Sequence, residues 1–473
     1  INVVLITQSS SEHSITFAVN PSDAKRAIQL IEVEFELEIQ ANKLIVPAIE
    51  DNLSVLAIVG ENMKKTPGMS GRLFAALGRN GINVRAIAQG SSEYNISVII
   101  GKEDLAKALN AVHDAFFAEL KKTLHVFNIG TGNIGATLFK QLESQHDFLL
   151  DKNDIEIKVV GISNSRKMLF NTEGVDLNNW SNELDRNGTE SDLALFIERM
   201  KALNLPNCVF IDNTASKLPA TYYEDIFKSN ISIVTCNKIA NSGKYEQYKT
   251  LRDTAHRHGV DFFYETNVGA GLPIVRVLKD LMLSGDRIVK IEAILSGTIS
   301  YIFNNFKADA SFYDVVKQAQ ELGYTEPDPR DDLGGIDFMR KMLILARDAG
   351  YPVEAEDVDL GSILPPACLK AESVDAFYAE LQRENDYFEG MKKKAEDENK
   401  VIRYIGKLEN GKVSIAIQFV DENHPFYALS GSDNIISFTT ERYKERPLVV
   451  KGPGAGAEVT AAGVFADLVN VGA

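Results

Sequence analysis

The sequence predicts an α/β fold built around a doubly wound parallel sheet, with small α+β modules before it and a further α+β domain after it. Strands and helices alternate from Lys121 to about Glu265, which is typical of a parallel sheet. A strand–turn–strand pattern occurs twice before that segment, and long helices with mixed strands follow it. We therefore expect four regions: residues 1–50, 51–120, 121–265 together with 447–473, and 266–446.

The internal repeat lies in residues 6–19 and 87–100, where ITQSSSEHSITFAV and IAQGSSEYNISVII read as equivalent strands and turns. A strand, LSVLAIVG, and an amphipathic helix precede the second copy, and a helix follows each copy. The helix before the second copy has Leu73, Phe74 and Leu77 on one face. The second copy is thus a complete α+β module, whereas the first lacks its opening strand and helix.

Charge and composition narrow the classes of function. The chain has 50 basic and 66 acidic residues and a net charge of −16, so we expect no nucleic-acid partner. It contains no run of about 18 apolar residues, so we expect no membrane span. Cys208, Cys236 and Cys368 show no metal-ligand or disulfide spacing, so we expect a protein of the reducing cytoplasm. The first residues read as a strand already under way, so we expect a part of a longer chain.

A glycine motif, Gly130-x-Gly132-x-x-Gly135, follows the strand TLHVFNIG and precedes the helix ATLFKQLESQ. In this context the first glycine permits a tight turn, the second permits close approach of a pyrophosphate, and the third permits helix–strand packing. The helix amino terminus, with Asn133 and Ile134, adds amide donors for the phosphates. The motif predicts a Rossmann-type dinucleotide-binding domain.

The choice of dinucleotide depends on the end of the next strand, GISNSRKML. Sites that prefer NAD usually place a carboxylate there to bind the ribose 2′-hydroxyl. This chain has Arg166 and Lys167 instead, which favours NADP, although NAD remains possible. The alternative is that both cations are ordinary solvated surface residues.

The segment TEPDPRDDLGGIDFMRKMLILARDAG carries a candidate catalytic group. Pro327 and Pro329 predict an extended loop, and a helix is predicted to begin near Gly335. Asp337 and Lys341 are four residues apart and share one face of that helix, which by itself is usually a surface ion pair. The helix is largely apolar and the loop is rich in carboxylates, so a binding site for a zwitterionic amino acid is the sharper hypothesis.

Several motifs resemble those of the homoserine dehydrogenases. These are GYTEPDPRDDL followed by D-x-x-x-K, TCNK, ETNVGAGLPI and LSGTISYIFN, and the resemblance runs from Leu124 to the carboxyl end. The repeated Q-[SG]-S-S-E resembles the ACT modules of aspartokinase regulatory regions. The whole chain is therefore similar to the carboxyl-terminal part of the bifunctional aspartokinase–homoserine dehydrogenases, without their kinase domain.

This resemblance implies NADPH-dependent reduction of L-aspartate 4-semialdehyde to L-homoserine, in the biosynthesis of threonine, methionine and isoleucine, by a homo-oligomer. It implies that Lys341 is the proton donor, that Lys238 lies between nicotinamide and substrate, and that Asp337 binds substrate and orients the lysine. The remaining implied roles are substrate binding by Glu326 and Gly323, cofactor binding by Thr214 and Gly454, sodium binding by the carbonyls of Glu265, Val268, Ala270 and Leu272, and threonine binding by Gln8 and Gln89.

Two other functions compete with this one. A different NADP-dependent semialdehyde oxidoreductase would need a nucleophilic cysteine, for which Cys236 is the candidate. A regulatory protein that binds an amino acid and a cofactor without turnover is the second alternative. The set Glu326, Asp337 and Lys341 argues against it.

Overall fold

The computed structural model describes residues 1–8, 13–61, 63, 66–90, 94–116, 122–307 and 309–471. The chain forms two compact units, the first made of Ile1–His125, Phe148–Glu156 and Glu198–Cys208 and the second of the remaining residues. Among the described residues, no helix has the length and apolar character needed to cross a bilayer.

The first unit contains the two copies of the internal repeat. Strands β1 and β2 pair antiparallel, and β3, β5 and β4 form a three-stranded antiparallel sheet in that order. The elements are β1 (Val3–Gln8), β2 (Ile15–Val19), α1 (Ala24–Glu34), α2 (Glu36–Gln40), β3 (Leu53–Val59), α3 (Met69–Arg79), β4 (Val84–Gln89), β5 (Asn95–Gly101) and α4 (Leu105–Phe116).

The second copy is complete, as the sequence predicted, and has its own core. Leu73 and Leu77 of α3 are fully buried and pack with Val98 of β5 and Ala108 of α4. The helix after the first copy differs from the single helix that its sequence suggested. It divides into α1 and α2 because Phe35, with φ −111° and ψ 30°, departs from helical geometry.

The seven-stranded sheet is the predicted Rossmann-type sheet, with strand order β12-β11-β10-β6-β7-β8-β9. Strands β10, β11 and β12 pair parallel. Its elements are β6 (Lys122–Ile129), α5 (Asn133–Asn153), β7 (Ile155–Ser163), β8 (Lys167–Phe170), α6 (Trp180–Asn187), β9 (Thr189–Glu190), α7 (Leu193–Ala202), β10 (Cys208–Asp212), α8 (Tyr223–Lys228), β11 (Ser232–Thr235), α9 (Ile239–Ser242), α10 (Tyr245–His258) and β12 (Phe262–Phe263).

One edge of this sheet is antiparallel, which the sequence analysis did not predict. Strand β8 pairs antiparallel with both β7 and β9. A tight turn joins β7 to β8, because the Asn164 side-chain oxygen accepts hydrogen bonds from the amides of Arg166 and Lys167 at 2.8 and 2.7 Å. An asparagine that bonds the backbone two residues ahead makes such a turn.

The region after Glu265 forms a second, six-stranded sheet with order β14-β16-β15-β13-β17-β18, covered by helices. Its elements are α11 (Val275–Leu283), β13 (Ile288–Ile294), α12 (Gly297–Asn305), α13 (Phe312–Glu321), α14 (Pro329–Leu333), α15 (Ile336–Asp348), β14 (Asp359–Leu360), α16 (Pro366–Leu369), α17 (Val374–Arg383), α18 (Asn385–Asp397), β15 (Val401–Glu409), β16 (Lys412–Val420), β17 (Asp433–Thr440), β18 (Leu448–Pro453) and α19 (Ala457–Val469).

Helix α15 is the central helix of this region. Its residues from Lys341 to Asp348 are all buried, and Phe338 and Met342 pack against Tyr404 and the rest of the main core. It begins at Ile336, after Gly335 with φ 73°, as the sequence predicted. Gly335 is required there because its φ is left-handed and a Cβ would meet the Tyr404 hydroxyl at 2.8 Å.

The prediction that Pro329 extends the preceding loop was wrong. Pro329 is instead the first residue of the one-turn helix α14. The fixed φ of proline suits this position, where its missing N–H would have no helical partner. The Asp328 side chain caps the turn by accepting the Arg330 amide at 3.0 Å.

Candidate functional site

Three predicted residues follow neighbouring strands of the seven-stranded sheet. Gly130 follows β6, Thr214 follows β10, and Lys238 follows β11. The ends of the first two strands meet, because the Asn213 amide donates to the Ile129 carbonyl at 3.0 Å. Ligands of open α/β sheets bind at the edge where the carboxyl ends of the strands meet.

The glycine motif has the steric properties of a phosphate-binding turn. A Cβ on Gly130 would lie 2.6 Å from the Asn213 carbonyl oxygen, and one on Gly135 would lie 2.1 Å from the Gly130 carbonyl oxygen. A Cβ on Gly132 would meet no atom within 4 Å, and Gly132 and Asn133 are exposed. Two glycines are therefore needed by the fold itself, and the third leaves open space at the amino terminus of α5.

The two cations after β7 differ in their surroundings. The Lys167 ammonium donates to the Asp185 carbonyl. The Arg166 side chain is exposed, and no hydrogen bond or ion pair from its guanidinium to another described residue is found. Of the two, Arg166 has the cationic group that can turn toward a ligand.

Lys238 is positioned by a buried network around Asp212. The Asp212 carboxylate accepts hydrogen bonds from the Tyr223 hydroxyl at 2.6 Å and the Asn237 amide at 3.0 Å. The Asn237 side-chain oxygen in turn accepts the amide of Ile239, the first residue of α9, at 3.0 Å. Burial raises the pKa of Asp212, although these hydrogen bonds oppose it. The turn that presents Lys238 is thus held from inside the sheet.

Asp337 joins two lysines, one at each carboxylate oxygen. The Lys238 ammonium lies 3.1 Å from Asp337 Oδ1, and the Lys341 ammonium lies 2.9 Å from Oδ2. Lys341 also donates to the Leu295 carbonyl oxygen at 2.7 Å. The Asp337 side chain is 54% exposed and that of Lys341 only 11%, so the lysine lies below a carboxylate that reaches solvent.

The pKa values of Lys341 and Asp337 follow from their burial and from the position of the Asp337 carboxylate between two ammonium groups. Burial lowers the pKa of Lys341, the carboxylate of Asp337 opposes that shift, and Lys238 adds to it. Burial raises the pKa of Asp337, but the two ammonium groups outweigh it and hold that pKa well below its usual range. Two cations and one anion share the site, so one positive charge is left for a ligand oxygen.

Glu326 and Gly323 lie in the loop before α14. The Glu326 side chain is exposed, and its backbone amide donates to Asp332 Oδ2 at 2.8 Å. The Thr298 hydroxyl lies within hydrogen-bond distance of two acceptors, the Tyr324 carbonyl oxygen at 2.5 Å and Asp332 Oδ1 at 3.2 Å. Gly323 has φ 74°. Asp332 therefore fixes the loop, and its charge is among those that act on Lys341.

The loop from Glu265 to Leu272 joins the two sheets. The Glu265 carboxylate caps α11 by accepting the amides of Ile274, Val275 and Arg276 at 2.5, 2.6 and 2.8 Å. The Glu265 amide donates to Asp467 Oδ2 of α19 at 2.9 Å. Burial raises the pKa of Asp467 to about 7.

Helix α19 packs directly on this loop. A Cβ on Gly271 would lie 2.3 Å from the Val459 carbonyl oxygen, and one on Gly463 would lie 2.5 Å from Thr266 Cγ2. Gly454, in the turn before α19, lies against Asn434, whose amide a Cβ would overlap at 1.9 Å. The glycines of both segments are required for this close approach.

In the first unit, Gln8 and Gln89 occupy equivalent positions. Each is exposed and is the last residue of its strand, β1 and β4 respectively. The Ser70 hydroxyl donates to the Gln89 side-chain oxygen at 3.3 Å. The polar turns that follow, residues 9–12 and 91–93, lie outside the described residues.

The sequence analysis missed several residues of the second unit. It did not single out the Leu295 carbonyl, Thr298, Asp212 or Asn434, and Asp332 entered it only as part of a loop rich in carboxylates. Backbone acceptors have no sequence signal, and a buried aspartate at a strand end is not distinguishable from an exposed one by spacing. For Thr298, its place in the motif LSGTISYIFN was the available signal.

Comparison with family models supports three assignments. The homoserine dehydrogenase model matches residues 273–469, and the model of its NAD-binding domain matches residues 130–265. An ACT-domain model matches residues 1–35 and 56–116. Residues 130–265 are therefore a dinucleotide-binding domain of the homoserine dehydrogenase type.

Curated relatives span the whole chain. The bifunctional aspartokinase/homoserine dehydrogenase 2 of Arabidopsis thaliana is 44% identical over 99% of this chain and 52% of its own length. That of Haemophilus influenzae is 40% identical over 99% of this chain and 57% of its own length. The chain thus spans about half the length of the bifunctional relatives it matches.

The dehydrogenase part also resembles complete proteins. A Candida auris protein of unknown function has a crystal structure that matches with TM-score 0.69, at 37% identity, over 74% of this chain and 98% of its own. A putative homoserine dehydrogenase from Archaeoglobus fulgidus matches with TM-score 0.59 and 25% identity. The homoserine dehydrogenase of Schizosaccharomyces pombe is 39% identical over 74% of this chain and 96% of its own length. On these similarities and the family models, the chain belongs to the homoserine dehydrogenase family.

Proposed function

We propose that this chain catalyses the NADPH-dependent reduction of L-aspartate 4-semialdehyde to L-homoserine. The observation that carries the proposal is the Asp337 carboxylate, 3.1 Å from Lys238 and 2.9 Å from Lys341. Lys238 follows β11 at the ligand-binding edge of the sheet, whereas Asp337 and Lys341 belong to α15. This cluster joins the cofactor-binding sheet to a helix suited to bind an amino acid.

The reduction requires a hydride and a proton, and the cofactor supplies the hydride when it is bound. Lys341 holds a proton on Nζ for the aldehyde oxygen. Its burial lowers its pKa, which makes proton transfer easier than from a solvated lysine. Lys238 is the second cation, and it stabilises negative charge as it develops on the oxygen. Asp337 keeps both ammonium groups in place and retains its own negative charge.

The substrate is also an amino acid, and its ammonium group requires an anion. Glu326 is exposed beside Asp332, which holds its backbone amide, and we assign Glu326 to the substrate amino group. Gly323 with its left-handed φ gives the loop its turn. The carboxylate of Asp337, more than half exposed, is the second substrate contact.

The residues present fit a bound dinucleotide. The exposed Gly132 has free space where its Cβ would be, and the amino terminus of α5 with Asn133 and Ile134 offers amides to the pyrophosphate. Thr214 and Gly454 complete the cofactor contacts in our proposal. We propose NADP as the preferred cofactor, with Arg166 as the main partner of the 2′-phosphate and Lys167 as a secondary one.

A sodium ion is part of the same proposal. Val268 and Ala270 are buried, and no described donor reaches their carbonyl oxygens or that of Leu272. Ala270 has φ 53°, a left-handed conformation that is uncommon for alanine. Carbonyl oxygens with no protein donor suit a hard cation. The Glu265 carbonyl, which accepts the Val268 amide at 3.3 Å, would be the fourth ligand through its second lone pair.

We further propose that threonine regulates the enzyme through Gln8 and Gln89. Their equivalent positions at the ends of β1 and β4 support a common ligand, because an amide offers both a donor and an acceptor. The proposed setting is a homo-oligomer in the cytoplasm, where Cys208, Cys236 and Cys368 would remain the free thiols that the structure contains.

The competing semialdehyde oxidoreductase finds little support at Cys236. Burial and the charge of Asp212 raise the pKa of the Cys236 thiol to about 12, so the nucleophilic thiolate is not favoured. The second alternative, a regulatory protein that binds its ligands without turnover, predicts that this chain does not oxidise homoserine at all. An assay of homoserine-dependent NADP reduction, followed by the absorbance of the reduced nicotinamide, tests both. Turnover that persists in Cys236→Ser supports the proposal, whereas no turnover in the unmodified chain refutes it.

A further inference from the structure

Arg347 lies at the far end of the helix that carries Asp337 and Lys341. It is 3% exposed, and among the described residues its guanidinium donates to three acceptors and lies over the rings of Tyr245 and Tyr248. Nε donates to the Val353 carbonyl at 3.0 Å, Nη1 to the Asn241 carbonyl at 2.9 Å, and Nη2 to Glu354 Oε2 at 3.0 Å. No part of this group reaches the substrate or cofactor residues proposed above.

The Asn241 carbonyl connects Arg347 to Lys238. Asn241 belongs to the short helix α9, for which Lys238 is the cap. The Lys238 carbonyl accepts the amides of Asn241 and Ser242 at 3.2 and 2.9 Å, and the Ser242 hydroxyl at 2.8 Å. A displacement of α9 therefore moves the backbone of Lys238 with it.

Glu354 connects the same guanidinium to α10. Its two carboxylate oxygens accept the Tyr245 amide, the first of α10, at 3.0 and 3.1 Å. The planar guanidinium is suited to hold several acceptors in fixed directions, which a lysine ammonium does not do. Arg347 thus connects the carboxyl end of α15 to α9 directly and to α10 through Glu354.

We propose that Arg347 is a positioning residue that fixes α9 relative to α15 and so holds the Lys238 ammonium against Asp337. Helices α9 and α15 are then joined at two points, by Arg347 with Asn241 and by Lys238 with Asp337. The second contact is partly exposed, with side-chain exposures of 29% for Lys238 and 54% for Asp337, and solvent weakens such an ion pair. The buried Arg347 contact supplies the rigidity that this partly exposed pair lacks. This inference rests on the proposed dehydrogenase function.

The test is Arg347→Lys in the full chain, assayed for homoserine oxidation. The shorter, unforked ammonium loses most of the three contacts, so α9 shifts and Lys238 moves from Asp337. Because a displacement of about 1 Å at a reacting centre can cost about 100-fold, we expect kcat to fall by roughly 10- to 100-fold. Cofactor affinity, measured by NADPH fluorescence, should change by less than about threefold, since Arg347 lies away from the glycine motif.

The pH profile distinguishes positioning from simple destabilisation. Asp337, Lys238 and Asp332 are the charged groups that act on Lys341, and Lys238 lowers the pKa of both Lys341 and Asp337. When Lys238 moves away, both pKa values rise. The limb of the pH–kcat profile that reports Lys341 should then shift to higher pH in Arg347→Lys.

Arg403→Lys is the matched control. Arg403 is also buried, at 4% exposed, and in the described part of the chain its guanidinium donates to the carbonyls of Ile402, Phe426, Tyr427 and Leu429 and to no carboxylate. It should lower the melting temperature by a similar amount without shifting the pH profile. If Arg347→Lys does not fold, Glu354→Gln replaces it, with a smaller shift in the same direction.

The possible failures are distinct. An inactive unmodified chain refutes the dehydrogenase function itself. An active chain in which Arg347→Lys, or Glu354→Gln in its place, behaves like Arg403→Lys refutes only the positioning role.

Discussion

Lys238 and Asp337 lie far apart in the sequence, yet their ammonium and carboxylate groups are 3.1 Å apart. Neither residue needs this contact for its own local structure, since Lys238 caps α9 and Asp337 lies in the first turn of α15. The contact instead joins the sheet edge proposed for the cofactor to the helix proposed for the substrate. Its chemistry can be tested one group at a time.

Removal of the Lys341 ammonium tests the proton donor. Lys341→Ala should lower kcat by about 100- to 10,000-fold, the usual contribution of general acid catalysis, with cofactor binding nearly unchanged. Steady-state kinetics and NADPH titration measure the two effects. The control is Lys228→Ala, which removes an exposed lysine 2.6 Å from Glu224 in another i,i+4 pair, and it should leave kcat unchanged. A loss of kcat below tenfold for Lys341→Ala would mean that Lys341 only forms an ion pair with Asp337 and is not the proton donor.

Neutralisation of Asp337 tests the electrostatics of the same pair. Burial lowers the pKa of Lys341 and the charge of Asp337 opposes that shift, so Asp337→Asn should lower the pKa further. An opposite charge at this distance typically contributes about one to three pKa units. The alkaline limb of kcat for aldehyde reduction, where Lys341 loses its proton, should therefore move to lower pH. An unchanged alkaline limb would contradict the assignment of Lys341 as the acid.

Substitutions in the glycine turn distinguish effects on stability from effects on cofactor binding. Gly132→Ala places a methyl group in open space, so the melting temperature should hardly change while NADPH binding weakens. Gly135→Ala places a methyl group 2.1 Å from the Gly130 carbonyl oxygen, so it should lower the melting temperature clearly. Thermal unfolding and calorimetric NADPH titration measure both. Normal NADPH affinity in Gly132→Ala would mean that the pyrophosphate does not lie on this turn.

Cofactor preference should depend mainly on Arg166. Arg166→Ala is expected to raise the KM for NADP while the KM for NAD hardly changes, because only NADP carries the 2′-phosphate. Lys167→Ala should raise the KM for NADP only slightly, since the Lys167 ammonium already donates to the Asp185 carbonyl. Arg186→Ala, at an exposed arginine near the end of α6, is the control for a general loss of positive charge. Equal losses with both cofactors would contradict the prediction.

Threonine should bind the first unit and not the catalytic site. Gln89 lies in the complete module, so Gln89→Ala is expected to weaken threonine binding more than Gln8→Ala does. Allosteric coupling of this kind is typically worth about 1–3 kcal/mol. Calorimetry with threonine compares these variants with Glu326→Ala. If only Glu326→Ala abolishes binding, threonine acts as a substrate mimic and the regulatory proposal fails.

The sequence was sufficient where a local pattern determines the structure. The alternation of strand and helix segments predicted the parallel sheet that contains Gly130. The four-residue spacing correctly placed Asp337 and Lys341 on one face of a helix. Local patterns do not predict contacts between distant segments. The family resemblance named Lys238 and Asp337 as separate site residues, but their direct contact was not predicted, and neither the Leu295 carbonyl nor Arg347 was singled out.

The prediction about Pro329 was wrong, and the antiparallel strand β8 was not foreseen, for related reasons. A proline after a capping aspartate can begin a helix as readily as it extends a loop, and the Asp328 side chain selects the helix here. The Asn164 side chain reverses the chain after β7 and adds antiparallel strands to the edge of the sheet. In both places one side chain that accepts hydrogen bonds from the backbone determines the direction of the chain.

The hydrogen bond between Glu265 and Asp467 spans 202 positions of the chain. At a synthesis rate of about 5–20 residues per second, roughly 10 to 40 s separate the appearance of its two partners on the ribosome. During that interval Thr266 and Gly271 are without the helix that later packs on them. The packing of α19 on the loop between the two sheets is therefore completed late in biosynthesis, only after the last segment of this chain has been made.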